Sequence, residues 1–313
     1  MLAVTFDEFG SADVLAVREL PCPTPGSGEV VVRVAASPVN PTDILMRTGR
    51  QRSMMGDLCP PYIAGMEFSG HIHDAGQASH VAAGQAVMGV VNPRRPGGGA
   101  HAQYISVPME SIVPLDPAVD LVQAATIPMN GLTASMAIDA MGLPRGSTLL
   151  VTGAAGVLAG HAISLARLAG IFVIADAKES DLPWLCRLGA DAIVPRGPAM
   201  FDAVRTGWPQ GVDAVIDTAL LGTPVGGLVC DGGCAVSVRR AHPIEDARLR
   251  HSSVSVLEQM RNTAALGRLA GLLQQGKILP RVVRCVSMKD AAMAHRITEQ
   301  GGLRGRVVMD FLA

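Results

Sequence analysis

Aromatic side chains are scarce in this sequence: phenylalanine, tyrosine and tryptophan together make up 3 % of its 313 residues. A core without them has to be built from Val, Leu, Ala, Ile and Met, and a ligand pocket has little with which to stack a flat ring. Charge is sparse as well, at 17 % with a net of −1 and no basic or acidic blocks. That balance excludes a nucleic acid or a polybasic membrane surface as the main partner. No uninterrupted apolar run approaches the ~18 residues of a membrane span. The opening "MLAVTFDEFG" carries acidic residues and no apolar h-region, so no signal peptide is expected. Six cysteines without regular spacing read as reduced thiols of a cytoplasmic protein.

What is present is aliphatic. Hydrophobic residues reach 49 %, and a chain of 313 residues has a prior of two domains. Up to about residue 115 the texture is Val, Gly and Pro in short alternating runs: "EVVVRVAAS" (29–37), "HVAAGQAVMGVV" (80–91) and "AQYISVP" (102–108) read as strands. Frequent prolines leave little room there for long helices. From residue 121 the pattern changes. "VQAATIPMNGLTASMAIDAMG" (122–142) has helical apolar spacing and closes at Gly142. Then "LLVTGAAGVLAGHAISLARLAGIFVIAD" (149–176) reads as strand, glycine turn, helix and strand, and "ADAIVP", "GVDAVIDTA" and "GGCAVSV" as short buried strands. Strands alternating with helices predict a doubly wound parallel sheet. Near the end, the helices "AALGRLAGLLQQGK" and "KDAAMAHRITEQ" flank strand-like "LPRVVRCVSM", and "GRVVMDFLA" follows. This last stretch is expected to complete the first domain.

In a nucleotide-binding turn the first glycine makes the bend, the second lets backbone approach the pyrophosphate, and the third lets helix and strand pack. Here Gly153, Gly156 and Ala159 stand at that spacing, with Val157 and Leu158 opening the helix. The expected cofactor cradle is the backbone of Gly153, Ala154, Ala155, Gly156, Val157 and Leu158, facing the phosphates with helix N-terminal amides. A glycine turn of an α/β domain that binds nothing has the same spacing. Asp176 lies 20 residues after Gly156, where an acid would take ribose hydroxyls, and Lys178 follows, suited to a 2′-phosphate. Strand alternation by itself leaves NADH and NADPH both open. Ser237, closing "GGCAVS", is a further candidate cofactor contact. A P-loop is absent, and neither Tyr62 nor Tyr104 has the Lys four residues on that a short-chain dehydrogenase requires.

The order "VRVAASPVNPTDI", "IAGMEFSG", "GGGAHAQYISVP", "IPMNGLTAS", "VTGAAG", "RLGADAIV", "VDAVIDT", "GGLRGRVVMD" resembles the medium-chain dehydrogenase/reductase superfamily, and within it the zinc-free quinone oxidoreductase (zeta-crystallin-like) branch. The resemblance runs over nearly the whole chain. It implies an α/β protein with a GroES-like, mainly β catalytic domain from residues 1–118 and 264–313 and a Rossmann dinucleotide-binding domain from 119–263. It also implies NADPH, with NADH possible, as the cofactor; a small-molecule quinone or α,β-unsaturated carbonyl as substrate; and a homodimer. By family position Asn40 is an amide donor to the developing oxyanion, Asp43 orients its loop, and Thr133 sits near the nicotinamide.

No metal is expected. Gly65-Met66-Glu67 stands where zinc-dependent relatives carry Gly-His-Glu, and Ser37 stands near the position of their cysteine. Between residues 60 and 185 there is no cysteine at all. A thioether is a poor zinc ligand, and a catalytic zinc needs three good ones. His71, His73, Asp74 and His80 read as an exposed strand face rather than a metal cluster. The tyrosine that many quinone and enoyl reductases carry shortly after R-x-G is missing after Arg47-Thr48-Gly49. Hydride transfer to a quinone or enone therefore stands beside two alternatives: an enoyl or enone reductase of a biosynthetic pathway, and a nucleotide-binding relative without turnover. Arg304 and Arg306 read equally as residues near the cleft or as a solvated face, and the Arg50/Arg52 and Arg94/Arg95 loops draw an anionic substrate no more than any surface arginine would.

Overall fold

A computed structural model describes residues 1–77, 81–239 and 242–313. His80 lies outside the described residues. In chain order the first stretch gives β1 (Leu2–Thr5), β2 (Ala16–Glu19), β3 (Glu29–Val39), α1 (Pro41–Arg47), β4 (Glu67–Asp74), β5 (Ala86–Val90), β6 (Tyr104–Pro108) and β7 (Ile112–Pro114). There follow α2 (Leu121–Ala124), α3 (Pro128–Met141), β8 (Thr148–Thr152), α4 (Val157–Leu168), β9 (Phe172–Ala177), α5 (Leu182–Leu188), β10 (Ala192–Pro195), α6 (Ala199–Gly207), β11 (Val212–Asp217), β12 (Val229–Ser237) and β13 (Arg250–Ser253). The chain ends with α7 (Thr263–Gln274), β14 (Val282–Ser287), α8 (Ala291–Gln300) and β15 (Arg306–Asp310).

The chain divides into two compact units, residues 1–129 with 257–275 and 280–313, and residues 130–256 with 276–279. The first boundary falls after residue 129, later than the expected 118, because α2 is bound into the first unit: the Ser69 hydroxyl of β4 donates to the Leu121 carbonyl at 2.6 Å.

The first unit is a mostly antiparallel sheet in the order β14-β15-β3-β4-β5-β7, with β6 also paired to β3. The chain's end thus returns to its beginning, Val307 lying opposite Val39 and Asp310 opposite Ala36. Its core is aliphatic, with Val30, Val32, Val34, Val87, Val107 and Val307 all fully buried. The few aromatics gather: Phe9 stacks on Tyr62 with ring centroids 5.5 Å apart, and Phe6 lies 5.4 Å from the same ring. His71 is half-buried and His73 exposed on β4, the latter edge-on to Tyr104.

The second unit is a parallel sheet in the order β10-β9-β8-β11-β12-β13. Counted from β8 this is 3-2-1-4-5-6, the Rossmann order, whose direction reverses between β8 and β11. β13 was not expected from the sequence. Its residues, Arg-His-Ser-Ser, are polar and largely exposed at the sheet's edge, so they lack the apolar signature of a buried strand. The predicted single helix over 122–142 is two: Pro128, which has no N–H and restricts the residue before it, separates α2 from α3. Among the described residues no helix is long and apolar enough to cross a membrane.

Gly70 is the most closely packed of the first unit's glycines: a Cβ there would lie 2.1 Å from the Arg33 carbonyl oxygen across β3 and β4. Gly70→Ala should therefore push the two strands apart. We expect a loss of about 1–3 kcal/mol, read as a fall in the thermal melting midpoint by circular dichroism. An unchanged midpoint would mean the two strands part without cost.

Candidate functional site

The chemistry-bearing residues form one group in each unit. In the second unit, β8 runs into Gly153, whose φ of +64° suits glycine. A Cβ there would also approach Thr218 Oγ1 to 3.0 Å and the Ala219 backbone nitrogen to 3.3 Å. The Gly156 N–H donates to the Gly153 carbonyl (2.9 Å), closing the turn, and Gly156 caps α4 with no side chain bonded over the helix end. The Gly160 N–H donates to the Gly156 carbonyl (2.9 Å), opening the ladder of α4. Helix geometry thus leaves the amides of Val157, Leu158 and Ala159 without an acceptor inside α4, with the positive end of the dipole behind them. Ala159 is fully buried, whereas Val157 and Leu158 are half-exposed at the mouth rather than turned into the core.

The turn is held by acids and hydroxyls from neighbouring strands. Asp217, ending β11, accepts from the Thr152 hydroxyl (2.6 Å) and the Gly222 N–H (2.8 Å). The Thr218 hydroxyl donates to the Thr152 carbonyl (2.6 Å). Asp217 and Thr152 are register partners, and an acid at the end of "VDAVID" was the available signal for this support. Asp176 on β9 is buried, and its Oδ1 accepts the Ala154 N–H at 2.8 Å. Burial pushes its carboxyl above the ordinary carboxylate range, opposed by the Ala154 amide and Arg196.

Two expectations need correction on this geometry. The Ala154 amide is not open to a phosphate, because Asp176 already occupies it. Asp176, in turn, is drawn beneath the glycine turn, so one of its oxygens is not available to a ribose. Lys178 is exposed just past the end of β9, and Arg196 is exposed just past β10. Ser237 is buried at the end of β12, and its hydroxyl faces the Arg239 and His242 carbonyls at 2.8 and 2.6 Å, engaged by its own loop rather than presented to a ligand. Thr133 lies half-exposed in α3. The structure therefore gathers Gly153, Ala154, Ala155, Gly156, Val157, Leu158, Asp176 and Lys178 at the carboxyl ends of β8 and β9. Arg196, Asp217 and Thr218 were missed.

In the first unit, Asn40 follows β3 and caps α1, with Pro41 at the first helical position. Asp43 Oδ2 accepts the Asn40 N–H (2.8 Å) and Oδ1 accepts the Gly65 N–H (3.0 Å), fixing the loop to the segment ahead of β4. Glu67 is fully buried; its Oε1 accepts from Asn40 Nδ2 (3.1 Å) and its Oε2 from the Met129 N–H (2.8 Å). Asn40 is enclosed as well, and its Oδ1 has no partner. An exposed donor waiting for a substrate oxygen is thus not what Asn40 presents: its amide faces Glu67, and it acts here as a link between α1 and β4. Burial raises the Asp43 carboxyl, against the nearby His101, and pushes Glu67 up to about 7, against Arg306 and the two donors. Arg306, desolvated beside both acids, is lowered, and its Nε has no partner. Arg304 instead donates to the Gly302 carbonyl at 3.1 Å.

The zinc position can be tested on these contacts. The Ser37 hydroxyl donates to the Glu67 carbonyl at 2.7 Å, Met66 offers a buried thioether, and neither supplies an anionic or imidazole ligand. Among the described residues no three His, Cys, Asp or Glu side chains gather to hold a metal. This donor set does not fit a catalytic zinc.

Glu67 sets a pH dependence. Its folded pKa of about 7 stands above the ordinary 4.5, so between those values the folded chain holds a proton that the unfolded chain has released. The stability from this group is full below the unfolded value and declines as pH rises through about 7. Glu67→Gln should flatten the pH profile of urea-unfolding free energy in that window by up to ~1.4 kcal/mol per unit. A variant profile parallel to the wild type would mean the buried carboxyl is ionised throughout.

Two family models match the chain, the alcohol dehydrogenase GroES-like domain over residues 26–117 and zinc-binding dehydrogenase over 188–309. Among curated proteins, a mitochondrial NAD(P)H oxidoreductase, RTN4IP1, of Drosophila melanogaster is 30 % identical over 209 residues, 60 % of this chain and 49 % of that one. The chain thus spans about half the length of that relative. A chloroplastic quinone oxidoreductase, QR1, of Triphysaria versicolor is 28 % identical over 227 residues, 70 % of this chain and 68 % of that one. The solved quinone oxidoreductase of Coxiella burnetii superposes with a TM-score of 0.87 at 27 % identity, covering 99 % of each chain. A GroES-like segment, a Rossmann sheet after it and a terminal return to the first unit make this chain a member of the medium-chain dehydrogenase/reductase superfamily.

Proposed function

We propose that the protein is a zinc-independent, NADPH-dependent reductase of quinones or α,β-unsaturated carbonyls. The observation that carries the nucleotide part is the turn at the reversal of the parallel sheet. Positive-φ glycine, a close-approach glycine and uncapped helix amides converge there, and a Cβ at Gly153 would fill the space. A diphosphate fits that cradle. The amides of Val157, Leu158 and Ala159 would hold it, while Asp176 keeps the Ala154 peptide in place from below.

The choice of NADPH over NADH rests on charge. Asp176 is turned inward to Ala154, whereas the exposed Lys178 and Arg196 stand past the ends of adjacent strands. An acid withdrawn from the ribose side and two cations beside it favour a 2′-phosphate. When bound, the reduced nicotinamide supplies a hydride to an electrophilic carbon. The names of the relatives, quinone and NAD(P)H oxidoreductases, support that reaction class. Quinones suit a chain without the family's tyrosine, because a hydroquinone anion takes its proton from water. The Ser37 and Met66 contacts support a reaction without zinc.

Titration by nicotinamide fluorescence should give tighter binding of NADPH than of NADH. Lys178→Ala with Arg196→Ala should weaken NADPH about tenfold and leave NADH nearly as it was. Turnover over a panel of neutral quinones and enones, with and without a zinc chelator, completes the test. Absence of binding by either nucleotide would overturn the reading. Binding without turnover on any acceptor would point to a nucleotide-binding protein instead.

A further inference from the structure

The arginines set aside in the sequence are not equivalent once placed. Arg50 is exposed, and Arg52 lies over the Phe9 ring, 5.4 Å from its centroid. Arg95 is engaged on three sides: it donates to the Gly98 carbonyl (3.2 Å) and the Ser106 carbonyl, and faces Glu29 at 3.7 Å. Arg94 differs. It is half-buried, and among the described residues it forms no ion pair.

What orients Arg94 is neutral. Its Nη1 donates to Gln51 Oε1 at 2.6 Å, and Gln51 Nε2 donates to Thr42 Oγ1 at 3.1 Å. The loop beneath is stiffened by Pro93 and Pro96, by the Asn92 side chain accepting the Arg94 N–H (3.1 Å), and by the Arg95 clamp. The acid whose charge acts on Arg94 is Asp43, which is enclosed and already accepts two backbone N–H groups. A guanidinium partly removed from water, aimed by an amide and left without a carboxylate is suited to receive an anion. The planar fork matches a carboxylate or a sulfonate. The phosphates of the proposed nucleotide have their own partners in the other unit, α4 with Lys178 and Arg196, so the anion left for Arg94 is the acceptor's.

Resting on the reductase reading, we propose that Arg94, aimed by Gln51 and Thr42, binds an anionic group of the electron acceptor, so that the preferred substrates are quinones or unsaturated carbonyls carrying a carboxylate or sulfonate.

The test compares 1,2-naphthoquinone-4-sulfonate with 1,2-naphthoquinone at saturating NADPH. For Arg94→Met the ratio of kcat/KM, sulfonated over neutral, should fall about tenfold or more, mainly through KM. Arg94→Lys should restore part of it, and Gln51→Leu, which keeps the charge but frees the fork, should lower it less. A ratio unchanged in Arg94→Met, or weaker NADPH binding in that variant without acceptor present, overturns the proposal. Should the wild type reduce neither quinone, the reductase reading fails separately and calorimetry decides. Naphthalene-2-sulfonate binding to the wild type and not to Arg94→Met, both with unchanged melting midpoints, supports the anion site; equal or absent binding overturns it.

Discussion

Thr152 and Asp217 face each other across the two central strands of the parallel sheet, and their short hydrogen bond fixes where the chain leaves β8. The turn that follows has few means of its own to stay open. Gly153 and Gly156 give it freedom, and freedom in a glycine loop costs conformational entropy when the loop is ordered. The order comes from neighbouring strands: Asp217 and Thr218 on one side, Asp176 on the other. The amides at the start of α4 are then held in place before any ligand arrives, which is what an efficient anion cradle requires.

A different solution governs the first unit. There a set of ionisable groups comes together: Asp43, Glu67 and His101 are buried, Arg306 is half-buried beside the two acids, and Arg47 is wholly enclosed on the Gly10 carbonyl and Glu299. For Asp43, Glu67, Arg306 and His101 desolvation dominates the shift and opposite charge reduces it. Burying groups of this polarity is costly unless each has a partner, and Asn40 Oδ1, Arg47 Nε, His101 Nδ1 and Arg306 Nε are left without one. Asn40 belongs to this network first.

Much of the architecture was legible in the sequence because it depends on period and punctuation. "TLLVT" and "VDAVID" are apolar enough to be buried strands, and the G-x-x-G-x-x-A spacing gave the turn and the start of α4. Two features escaped. β13 carries no apolar signal, since an edge strand needs none, and the break before α3 turned on a single proline inside a helical pattern. The site was less legible for a physical reason. Spacing along the chain pointed to Asp176 and the family resemblance to Asn40, with Ser237 a bare candidate, but the partner of each hydrogen bond lies on another strand or loop, at Ala154, at Glu67, and at Arg239 and His242. Likewise nothing in the one-dimensional pattern separates Arg94 from Arg95, whose difference lies in which neighbours their guanidinium groups meet.

The polarity of β13 bears on the protein's colloidal behaviour. A sheet of such aliphatic strands would, if its last strand were Val- and Ile-rich, offer a sticky ribbon of backbone donors and acceptors to any other chain. Arg250, His251 and two serines there make the rim hydrophilic and charged, which discourages indiscriminate edge-to-edge pairing and fibre growth.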